Sequence, residues 1–100
     1  MKTKQDLVSL GLSDYKADEI MLLESKMLEQ VVKFQFTKKD GSVRDAEGTL
    51  NRALMVQEDG TLWEPKGDAR PDTPTLMKFW DVVSKGWKCF TCANFIAMEG

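Results

Sequence analysis

The stretch from Val32 to Leu50, VKFQFTKKDGSVRDAEGTL, decides how this chain folds. Val32, Phe34 and Phe36 alternate with Lys33, Gln35 and Thr37, the period-two pattern of a strand with one face buried. Lys38-Lys39-Asp40-Gly41 then reads as a hairpin turn, because Asp-Gly supplies the positive φ values that favoured hairpin turns require. The return strand runs from Ser42 to Leu50. If Gly41 closes a three-residue loop with a bulge, Phe36, Phe34 and Val32 face Arg44, Ala46 and Gly48, and the small Ala46 and Gly48 leave room for the rings. A two-residue turn would shift this pairing by one.

Toward the amino terminus the period is helical. Thr3 and Asp6 form a capping box with a shortened acid, opening a brief helix over Lys4 to Leu10. Gly11 suits the left-handed residue that ends it, and Leu12 folds back onto it. Ser13 or Asp14 caps a second helix, with Asp18 and Glu19 near the positive end of its dipole. Ala17, Ile20, Met21, Leu23, Met27 and Leu28 give that helix a wide apolar face. Helix, glycine turn and helix invite a DNA-reading motif, but residues 13–29 hold two lysines against five acids. Such a charge repels phosphates, so the helix is expected to pack on a sheet.

Toward the carboxy terminus, residues 52–75 lose all periodicity and read as a long surface loop, acidic over 58–72, with a tight turn at Glu58-Asp59-Gly60-Thr61. Leu76 to Val83 reads as a strand with Lys78, Trp80 and Val82 on one face and Met77, Phe79 and Asp81 on the other. Ser84-Lys85-Gly86 turns the chain, and Trp87 to Thr91 returns with Phe90 inward. Cys92-Ala93-Asn94 makes one tight turn, and Phe95 to Met98 a last strand. Short strands joined by tight turns bury one common face only if the sheet curls, so the expected architecture is α+β, mainly β: a five-stranded closed barrel behind a short and a longer helix. One domain spans residues 1–100, with a helical preface over 1–29 and the barrel over 30–100.

The composition is that of a folded chain, 42% hydrophobic and 30% charged with a net charge of -2 over 100 residues. No apolar run approaches the ~20 residues that span a bilayer, and MKTKQDLVSLG lacks the apolar stretch of a secretion signal, so no membrane role and a cytoplasmic location are expected. The chain has no histidine, which removes Ser-His-Asp triads, Cys-His pairs and imidazole-ligated zinc from consideration within one chain. Cys89 and Cys92 form a lone C-x-x-C, half of what a structural zinc needs and outside any βαβ unit, so neither a metal nor a redox role is expected. No phosphate-binding glycine loop is present. The expectation is no cofactor, no catalytic residue and no enzyme.

The blocks Phe34-Gln-Phe-Thr-Lys-Lys-Asp-Gly-Ser-Val-Arg44 and Ala46-Glu-Gly-Thr-Leu50-Asn51 resemble the WYL-like, Sm-like SH3 β-barrel family of small bacterial and phage proteins. So do Phe79-Trp80-Asp81-Val82, Gly86-Trp87-Lys88-Cys89-Phe90 and Asn94-Phe95-Ile96. The distal blocks of that family typically run tyrosine-tyrosine-aspartate, then glycine-tryptophan-arginine-serine-phenylalanine, then asparagine-leucine. Lys88 and Cys89 stand here where arginine and serine are usual. The resemblance covers about half the chain in the family's order. It implies an SH3/Sm-like barrel with a helical preface and a phage, prophage or bacterial setting; it implies no reaction.

Three binding roles follow as expectations. The first is protein interaction or self-association, since an SH3-type barrel exposes sheet edges that another strand can complete and Sm-like barrels commonly oligomerise through them. The second is single-stranded nucleic-acid binding, with Lys38, Lys39, Arg44, Lys85 and Lys88 for phosphates and Trp80 and Trp87 for stacking. A chain at -2 offers no long-range attraction to polyanions, so any such binding would be local and modest. The third is capture of a small nucleotide or other ligand in the barrel mouth by a phage-encoded regulator.

Overall fold

The structure, a computed structural model, describes residues 3–64 and 75–99. It contains α1 (Lys4–Ser9), α2 (Asp14–Met27), β1 (Val32–Thr37), β2 (Val43–Thr49), β3 (Leu76–Asp81), β4 (Gly86–Thr91) and β5 (Phe95–Met98), with 3-10 turns at Arg52–Leu54 and Cys92–Asn94.

The helical preface follows from its caps. Thr3 Oγ1 accepts from the Asp6 N–H at 3.2 Å while the Asp6 carboxylate accepts from the Thr3 N–H at 3.3 Å, a reciprocal box. Gly11, at φ +93°, closes α1: its N–H donates to the Val8 carbonyl and that of Leu12 to the Leu7 carbonyl. Ser13, not Asp14, caps α2, its hydroxyl accepting from the Lys16 N–H at 3.2 Å. Ala17, Ile20, Leu23 and Met27 are buried. Leu28, expected on this apolar face, is 43% exposed, because the helix ends at Met27 and the chain swings away toward β1.

The strands form one antiparallel sheet in the order β4-β3-β2-β1-β5. In the first hairpin Val32, Phe34 and Phe36 lie opposite Gly48, Ala46 and Arg44, the register of the bulged three-residue loop. The Lys38 N–H donates to the Ser42 carbonyl, the Gly41 N–H to the Lys38 carbonyl, and Gly41 takes φ +89°.

The sheet is curled. In a flat sheet β1 and β4, three strand spacings apart, would be separated by ~14 Å. Yet the rings of Phe36 on β1 and Phe90 on β4 stack with centroids 4.7 Å apart, and Phe90 reaches Phe95 on β5 at 6.3 Å. Phe34, Phe36, Phe79, Phe90 and Phe95 share this interior with Val32, Met77 and the buried face of α2. The closed cylinder expected from the sequence is corrected in one respect: among the described residues no ladder joins β4 to β5. Cys92–Asn94 is a 3-10 turn, which advances the chain instead of reversing it, so β5 leaves β4 and pairs with β1. The seam is bridged by rings, not by backbone.

Other boundaries also move. β3 ends at Asp81 instead of Val83, because the Asp81 carboxylate accepts from the N–H groups of Val83 and Ser84 and folds that segment into the turn. Lys85 completes the turn at φ +57°. The expected loop over 52–75 is ordered in its described part. Val56 bridges Leu62, the Trp63 N–H donates to the Met55 carbonyl, and Met55 is buried. The remainder of that loop and of the acidic 58–72 run, residues 65–74, lies outside the described residues. No helix among the described residues is long and apolar enough to cross a membrane.

Candidate anion-binding site

Period two assigns the polar residues of the barrel to its two faces. Arg44 follows Ala46 and Gly48 onto the inner face of β2, and Asp81, opposite Gly48, follows Met77 and Phe79 onto the inner face of β3. Lys88 pairs with Phe79 and so also points inward. Three charged side chains thereby enter one end of an aromatic interior. Arg44 Nη2 stands 3.5 Å and Lys88 Nζ 3.8 Å from Asp81 Oδ2, with the two cations about a third exposed and the carboxylate buried.

Beside this cluster a cavity of about 490 Å³ opens at the barrel end beneath the β1–β2 hairpin. Its floor is the Phe36–Phe90 stack; its rim carries Lys38, Lys39, Arg44 and Lys88, with Thr37, Thr91 and Asn94 as hydrogen-bonding groups. Asp40 also borders it, but its carboxylate is engaged within its own turn. Hydrogen bonds from the Ser42 hydroxyl (2.6 Å) and N–H (2.9 Å) hold that carboxyl below the ordinary aspartate value of 3.8. The chemistry the cavity offers is positive charge over an apolar floor.

Four of the seven residues singled out in the sequence therefore share one site, and three do not. Lys85 is exposed in the β3–β4 turn and does not line the cavity. Trp80 and Trp87 are cross-strand partners on the outer face, one residue out of phase with Phe79 and Lys88. Trp80 is only 2% exposed and packs with Trp63 and Trp87 at centroid distances of 6.2 and 5.9 Å. The three tryptophans pack on one another on the face opposite the cavity, outside the main cluster, with Trp87 41% exposed. Cys89 is exposed, while Cys92 is buried in the core.

Asp81 was not among the residues singled out. Its signal was present: an acid in phase with Met77 and Phe79 on a strand whose partners supply an arginine and a lysine.

A curled five-stranded sheet with a 3-10 link before its last strand and a helix across β1 and β5 defines the class of small Sm-like SH3 barrels. The family model described as WYL_2, Sm-like SH3 beta-barrel fold matches residues 20–96, and the chain belongs to that family. The match runs from within α2 into β5 and includes every residue of the cavity. No curated protein and no solved structure matches the chain.

Proposed function

We propose that the chain is a non-catalytic binding module whose barrel end holds the phosphate backbone of a single-stranded nucleic acid. The observation that carries this reading is the convergence of Lys38, Lys39, Arg44 and Lys88 on one cavity over an apolar floor. Phe36 and Phe90 are 6% and 5% exposed and stacked on each other, so they support a ligand from below without admitting a base between them. Contact is to phosphate and sugar, with little base readout. The net charge of -2 limits attraction to the cavity itself. Holding about two phosphates gives a log–log salt slope near −1.4, at ~0.7 per phosphate for single strands. Fluorescence anisotropy with a labelled oligothymidylate tests this. Affinity is expected to fall with salt at that slope, and Arg44→Glu or the pair Lys38→Glu and Lys39→Glu to weaken it at least tenfold. Affinity indifferent to salt and to both variants sinks the reading.

A second reading, assembly, has its own support. β4 and β5 each pair on one side only among the described residues, and Trp87 and Ile96 there are 41% and 40% exposed. An added strand would satisfy those edges. Sedimentation showing only monomer, with no co-purifying partner from source cells, counts against it.

A further inference from the structure

The two inner cations of the cavity share a counter-ion that the ligand does not meet. Asp81 does not line this cavity; it contacts Arg44 and Lys88 and, with Arg44, borders the neighbouring cavity that also takes in Lys33, Asp45 and Glu47. Its Oδ2 faces both cations, while its Oδ1 accepts from the Val83 N–H at 2.9 Å and the Ser84 N–H at 3.2 Å, so the carboxylate is held from the rear. Its side chain is 4% exposed, where water and salt screen little.

We infer that Asp81 is a selectivity residue: Arg44, Lys88 and Asp81 together carry one net positive charge, which suits the single negative charge of a phosphodiester and disfavours a phosphate monoester. A monoester carries about −1.5 to −2 at pH 7. Its second charge would find no inner cation left to oppose it, and the buried carboxylate beside the two cations repels it with the partly screened strength of a site whose cations are about a third exposed. Lys38 and Lys39 add attraction for either ester, but from the exposed hairpin tip, where screening makes their pull less sensitive to a second charge than that of the inner three groups. The inference rests on the binding reading above and narrows it to internal diesters, whether of a strand or of a cyclic dinucleotide.

The test is competition against the labelled oligothymidylate, with thymidine 5′-monophosphate and its methyl ester as competitors at pH 7.5. They differ in one methyl group and about one charge. The methyl ester is expected to displace the oligomer from the wild-type protein at a concentration roughly three- to tenfold lower. In Asp81→Asn, which keeps the Oδ1 acceptor for the turn, the order is expected to reverse, a change of ratio that loss of fold would not produce. If that variant does not fold, the wild-type ratio alone decides. Equal displacement by both, including none, or better displacement by the monoester overturns the inference while the binding reading stands. An oligomer that does not bind at all removes both. A cyclic dinucleotide and a linear one, run alongside, distinguish a captured small nucleotide from a strand.

Discussion

Gly48 shows how tightly single residues are constrained here. A Cβ built on it would stand 2.5 Å from Phe79 Cδ2 and 3.2 Å from Phe34 Cε1, so two core rings occupy the space that its missing side chain leaves. Gly48→Ala is expected to cost about 1–3 kcal/mol as rings are forced off their rotamers, read as a lowered thermal midpoint. A midpoint unchanged would mean the rings yield freely. Asp81 is constrained by polarity instead. Asp81→Ala removes the acceptor of two turn N–H groups and the counter-ion of two cations, and is expected to lose about 1–3 kcal/mol. Asp81→Asn keeps the acceptor and should lose less in chemical denaturation. Equal losses would assign the effect to charge alone.

At the scale of elements, one turn design is used twice. In Asp40-Gly41-Ser42 and Asp59-Gly60-Thr61 the Asp Oδ1 accepts from both the N–H and the hydroxyl two residues on, and each glycine takes a positive φ. Those bonds hold both carboxyls below the ordinary 3.8. A carboxyl whose pKa is depressed by folding stabilises the turn fully above its unfolded value and loses that contribution as pH falls through its folded one. Amide signals of Ser42 and Thr61, followed by NMR from pH 6 downward, are therefore expected to shift with midpoints below 3.8. Midpoints at or above it would contradict the design. The segment around Trp63 is held differently, by its ring against Trp80 and Trp87 at 6.2 and 5.2 Å. Trp63→Ala is expected to cost about 2 kcal/mol and to red-shift the remaining tryptophan emission as Trp80 meets water. Unshifted emission would show that Trp80 is covered without Trp63. The first hairpin was legible because its turn residues and its alternation are local; this segment was not, because Trp63 is positioned by strands distant in sequence.

Over the whole molecule, membership of the WYL_2 family gives the architecture and leaves the role to the cavity. The chain is acidic overall, yet β2, β4 and the first hairpin turn bring four cations to one barrel end. The proposed nucleic-acid affinity therefore depends on that end and on ionic strength, and not on a general field. By itself the sequence determined which segments are strands, the Thr3–Asp6 cap and the Asp-Gly turns, because each follows from interactions among residues close along the chain. It left the β1–β2 register between two loop lengths and the second cap between Ser13 and Asp14, and the structure chose. Only the tertiary structure decided which charges meet. Arg44, Asp81 and Lys88 come from three strands, and their distances depend on how far the sheet curls around its five phenylalanines. Trp80 likewise became buried on the outer face because residues from beyond β2 fold back over it. Curl and cover are set by packing across the whole core, which no local stretch of residues encodes.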